Sequence, residues 1–164
     1  MERSHGERTN LYHALFRAHV YPMIAADRSG RVVAWNDAAG EWTGLPRDRV
    51  LGRPLWEVHA SVAPAAIPYE DACRAAREAF FRFVHHSEQD DGPWHVHVNG
   101  DMLSATGTVR HIHSEIFPVW VGDELVIVGT LADAEGCHSL ESSEFSLATE
   151  PTEPTEVSRD ATAS

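Results

Sequence analysis

Two histidine pairs at alternate positions, His95-Val96-His97 and His111-Ile112-His113, are the residues of this chain best suited to chemistry. Neutral imidazole offers a nitrogen lone pair, and several imidazoles on one surface suit zinc, copper or nickel. Both pairs lie in runs that read as β-strands, Trp94 to Val98 and Val109 to Trp120. With symmetric pairing about residue 104, His97 faces His111 and His95 faces His113, so all four imidazoles share one face of a sheet. Glu115 continues that face as a possible oxygen ligand, while Val96, Val98, Ile112 and Ile116 point to the other. Such a set serves a metal-dependent enzyme or metal sensor, a pH-sensitive patch, or simply the polar outer face of a sheet.

Inventory removes most other chemistries. All 13 basic residues are Arg, so a phosphate-gripping Lys, a Schiff-base Lys and a Ser-Lys pair are excluded. Cys73 and Cys137 share no metal or redox spacing. Gly122-Asp123-Glu124 reads as a hairpin turn, and no Ser-His-Asp order or Gly-rich phosphate loop can be assembled, so catalysis is not expected beyond a histidine metal site. The formal net charge is −12; seven acids and one Arg from Ala134 onward carry −6 of it, which leaves −6 for the body. No basic stripe exists to neutralise phosphates, so no nucleic-acid partner is expected. No apolar stretch approaches the roughly 18 residues of a membrane span and no signal peptide is evident, so no membrane contact and a cytoplasmic location are expected.

The elements that must hold these side chains follow from punctuation and periodicity. With 164 residues, 43% of them hydrophobic, the chain can bury one core. Residues 1–10 read as a flexible arm, 11–134 as one folded domain, and 135–164, rich in Ser, Thr, Glu and Pro, as a disordered tail. Leu11, Ala14, Leu15 and Ala18 form one apolar stripe of a helix that Pro22 terminates. Met23 to Ala26 and Val32 to Trp35 read as strands. Asn36 caps a short helix closed by Gly44, and a second helical turn, Arg47 to Leu51, closes at Gly52. Leu55 to Ala66 reads as irregular, Tyr69 to about His86 as the longest helix, and Leu125 to Ala132 as a last strand after the Gly122-Asp123 turn.

The spacing of Gly30, Val32, Asn36, Ala38, Gly44, Gly52, Arg53 and Leu55 resembles the front half of a PAS domain. The resemblance implies an α+β fold: a PAS-like five-stranded antiparallel sheet with helices packed on one face, in the order β-β-α-α-α-β-β-β. It implies a sensory module that binds a small ligand or a protein partner and relays the change to a separate output protein, in signal transduction or the regulation of transcription. Its pocket wall would come from Ile24, Trp35, Ala39 and Thr43, and a homodimer contact from Leu11, Leu15 and Ala18 of the N-terminal helix. The cofactor is left open. Val62-Ala63-Pro64-Ala65 resembles the chromophore anchor of photoactive yellow proteins, but Ala65 stands where those proteins carry Cys. The flavin-reactive Cys of LOV domains is also missing, and His85-His86 is the one pair placed where haem-binding PAS domains take an axial ligand.

Overall fold

A computed structural model of the chain describes residues 13–89 and 95–134. The expected arm, Leu11 and the expected tail lie outside the described residues. The elements are α1 (residues 13–18), β1 (Met23–Asp27), β2 (Val32–Trp35), α2 (Asp37–Thr43), α3 (Arg47–Val50), α4 (Leu55–Ser61), α5 (Tyr69–Gln89), β3 (Val96–Leu103), β4 (Val109–Val121) and β5 (Glu124–Asp133). The five strands form one sheet in the order β2-β1-β5-β4-β3, antiparallel throughout. The first two strands thus lie beside the C-terminal hairpins, as the α+β reading expects.

Side-chain alternation gives the sheet two unlike faces. Ala26 of β1 and Leu125 and Ile127 of β5 meet Phe80 and Val84 of α5 in one buried cluster. Val32 and Trp35 of β2 pack with Ala39, Val50 and Val58 from the three short helices in a second. Met102 of β3 and Leu131 of β5 close on Val62 in a third. Every helix from α2 to α5 contributes to these clusters on the same face.

Expectations need correction at α4 and at β3, which was expected to end at Val98 and runs to Leu103. Leu55 to Ala66 was expected to be irregular, yet its first half is the helix α4. Pro54 and Pro64 bracket it as loop residues would, but Pro54 stands at the N-cap, where its fixed φ costs the helix nothing. Val58 and Ala60 are buried, so tertiary packing decides for helix over a stretch of only seven residues. The pairing of β3 with β4 also differs from symmetry about residue 104. His97 stands opposite Glu115, Asn99 opposite His113, and Asp101 opposite His111. The turn lies further along the chain: the Gly107 N–H donates to Ser104 O at 2.9 Å, and the Ser104 N–H donates to Thr108 O at 2.8 Å. Gly107 supplies the left-handed residue, φ +78°, that closes this turn. The shift is an even number of residues, so each side chain keeps its predicted face.

The β1–β2 turn is fixed from both sides. The Asp27 carboxylate accepts from the Ser29 N–H (2.9 Å), the Ser29 hydroxyl (2.6 Å) and the Arg31 N–H (3.0 Å). Burial raises the Asp27 pKa, but these hydrogen bonds together outweigh it and the carboxyl titrates below its ordinary value. Gly30 takes φ +83°, and a Cβ placed there would lie 2.3 Å from Cζ3 of Trp56.

Gly30→Ala is therefore expected to destabilise the fold by about 3 kcal/mol, the left-handed penalty plus displacement of Trp56, read as a lower urea midpoint. Because the folded pKa of Asp27 is depressed, its contribution to stability is complete above the ordinary carboxylate range of about pH 4. It is lost as the pH falls through the lower folded value. Thermal melts taken from about pH 6 down to about pH 3 should show a fall in stability that is smaller in Asp27→Asn.

Candidate functional site

Asn36 joins three parts of the domain. It is 1% exposed and ends β2 at the N-cap of α2. Its Oδ1 accepts from the N–H groups of Ala39 and Met23, both at 2.9 Å. Its Nδ2 donates to Tyr21 O at 2.8 Å and to His19 O at 3.3 Å. One amide side chain thus caps a helix, starts β1 and holds the segment that leads back to α1. Asp would keep the two accepted bonds and lose both donated ones.

The residues expected to line a pocket do come together. Trp35 (1% exposed) and Ala39 (0%) sit in the cluster against which Ile24 packs. Thr43 is buried on the same short helix. Their polar atoms are paired within the protein: the Trp35 indole N–H donates to Leu45 O at 3.2 Å, and the Thr43 hydroxyl donates to Ala39 O at 2.7 Å. The Trp35 side chain is packed among Val32, Ala39, Val50 and Val58. A concave site not foreseen from sequence lies outside this interior, a groove of about 500 Å³ lined in part by Trp56, Tyr69, Cys73, Arg77 and Phe81. The Arg77 guanidinium lies 5.7 Å from the ring centre of Trp56 and 5.8 Å from that of Phe81. Cys73 faces the Trp56 carbonyl at 3.7 Å, and His85 pairs with Gln89 at 3.0 Å on the last turn of α5.

The histidines occupy the sheet face away from the helices. The hairpin that carries them is anchored at its tip, where the Ala105 N–H donates to Trp42 O at 2.8 Å beside Gly44. Arg110 lies over the Trp42 ring at 3.9 Å and pairs with Asp133. From this anchor the odd-numbered side chains of β3 and β4 form a ladder. His111 Nδ1 pairs with the Asp101 carboxylate directly across from it. His113 Nδ1 meets Asn99 Oδ1 at 2.9 Å, and His113 Nε2 meets His97 Nδ1 at 2.9 Å. The rings of His97 and His113 stack at 5.0 Å, and His95 stands edge-on to His97 at 4.9 Å. His95, His97 and Glu115 each place one potential ligand atom within 4.8 Å of the other two. The predicted face is right, but the four imidazoles do not meet at one point: His111 is held at the far end by Asp101.

An antiparallel sheet in the order β2-β1-β5-β4-β3, with all its intervening helices on one face and a helix-capping Asn at the strand-to-helix junction, defines the PAS type of sensory-domain fold. A family profile described as "PAS fold" matches residues 17–113, more than half of the chain, and the chain belongs to that family. Among solved structures, the PAS domain of an HTR-like protein from Haloarcula marismortui is 16% identical, covering 78% of this chain and 93% of that one at a TM-score of 0.53. The PAS domain of Bordetella pertussis BvgS is 22% identical, covering 77% and 86% at 0.54. A PAS domain of a two-component sensor histidine kinase is 10% identical, covering 78% and 97% at 0.54. A phytochrome of Picea abies is 43% identical over 56 residues, 33% of this chain and only 5% of that protein's length.

Asn36→Ala removes the cap together with the side-chain partners of the Met23 N–H and the Tyr21 carbonyl. It should destabilise the domain by about 3 kcal/mol, measured by urea unfolding, with Asn36→Asp intermediate.

Proposed function

We propose that this chain is a PAS sensory module that takes up a small ligand or a protein partner and relays the change to a separate output protein, in signal transduction such as the regulation of transcription. The observation that carries this reading is the position of Asn36. The same side chain that caps α2 over the interior also grips the carbonyls of His19 and Tyr21, next to α1. A guest that shifts α2 changes those bonds, so the start of the domain registers what its interior holds. The source of one neighbour with this fold, a two-component sensor histidine kinase, supports the reading.

The small-molecule guest belongs in the interior bounded by Ile24, Trp35, Ala39 and Thr43, and it enters by displacing the Trp35 ring. The polar groups there are already paired, which favours an apolar guest. In this reading the chain senses and does not catalyse. It works in the cytoplasm, and no helix among the described residues is long and apolar enough to cross a membrane. Neither nucleic acid nor a lipid surface is its partner. A second copy pairs with it through α1, where Leu15 is 58% exposed and Ala18 is also exposed.

Native mass spectrometry of the intact chain, purified without denaturant, should find a non-covalent mass excess that disappears on unfolding. Sedimentation should find a dimer that Leu15→Glu converts to monomer. A bare, monomeric chain in both experiments contradicts the interior guest and the α1 dimer.

A further inference from the structure

We propose that the outer sheet face binds one divalent transition-metal ion through His95, His97 and Glu115. The three residues come from two neighbouring strands and from the residue just before β3, and their ligand atoms already lie within 4.8 Å of one another. Bonds of 2.0–2.1 Å to a tetrahedral ion require separations of about 3.3 Å. His95 is exposed and Glu115 is only half-buried, so both side chains have room to rotate toward an ion.

The hydrogen bonds beside the cluster prepare His97 for this role. Asn99 Oδ1 can only accept, so the facing Nδ1 of His113 carries its proton. His113 Nε2 therefore holds a lone pair and accepts the Nδ1 proton of His97. That leaves Nε2 of His97 deprotonated with its lone pair available, the state in which imidazole ligates. A ligand histidine whose other nitrogen is engaged in this way is fixed in tautomer and ring orientation. Asn99 and His113 are thus positioning residues, while His111 is occupied by Asp101 away from the cluster.

Two neutral imidazoles and one carboxylate favour zinc, nickel or copper over magnesium or calcium, which prefer all-oxygen shells. Three protein ligands leave a coordination position for water or for a donor from another molecule. Bound there, the ion ties the start of β3 to the middle of β4. This inference does not depend on an interior guest, so either can fail without the other.

The test is a titration of the full chain, stripped with chelator, with Co2+ followed by visible absorption and with Zn2+ by calorimetry. Saturation at one ion per chain is expected, with no displacement by excess Mg2+. His97→Ala and Glu115→Gln should each weaken binding at least tenfold, and His113→Ala, which removes the partner of His97, by roughly 10–100-fold, while His111→Ala leaves it within about twofold. Far-UV circular dichroism of each variant checks that the fold persists. Absence of saturable binding, binding unaltered in His97→Ala, or an equal loss in His111→Ala overturns the proposal.

Discussion

The domain depends on the saturation of one buried amide. At Asn36 the chain leaves a sheet, begins a helix and passes beside the segment that precedes the first strand. Each of these presents backbone groups to a side chain that is itself 1% exposed and must satisfy its own amide within the protein. A carboxamide is the side chain with an oxygen for two donors and a nitrogen for two acceptors within one short reach. Serine or threonine would cap α2 and leave the carbonyls of His19 and Tyr21 unmet, and aspartate would add a charge beside them. The requirement thus lies in the residue type, and it explains how a local capping site also becomes the joint between interior and periphery.

Sheet parity governs the other side of the molecule. Met102, Ile112 and Ile116 of β3 and β4 pack with the buried clusters, and the odd-numbered residues between His97 and Glu115 form a ladder of imidazole, amide and carboxylate groups. Because that face carries hydrogen-bonded polar pairs beside apolar residues such as Phe117, Val119 and Val128, it is neither an ordinary core face nor an ordinary solvated one. The tip of the hairpin rests on the end of α2 through Ala105 and Trp42, so the ladder and the Asn36 joint are attached to opposite ends of the same short helix. A displacement of α2 therefore has a mechanical route to both.

Much of this was legible in the residues, for identifiable reasons. Gly30, Asn36 and Gly44 could be read because left-handed turns and helix caps are local demands that few residue types meet. The long helix α5 was legible from its periodicity, and the Gly122-Asp123 hairpin from its turn chemistry. The helix α4 was hidden because seven residues between prolines carry too little periodic signal, and the burial of Val58 supplies what propensity does not. The full length of β3 was hidden because Asn99-Gly100-Asp101 are poor strand residues; an edge strand with solvent on one side tolerates them. The register error had the same origin, since Ser104-Ala105-Thr106-Gly107 holds the turn signal that would have centred the hairpin correctly. The pairing of imidazoles with Asp101 and Asn99 was beyond a reading by face alone, because it depends on which residue stands opposite which.

The claim that Asn36 couples α2 to the segment before β1 is tested most directly by hydrogen exchange, comparing the unaltered chain with Asn36→Ala under conditions where both are folded. Residues 19–23 and the first turn of α2 should lose protection together and to a similar degree, while α5 and β5 change little. Loss of protection confined to α2, with residues 19–23 unaltered, would contradict the account.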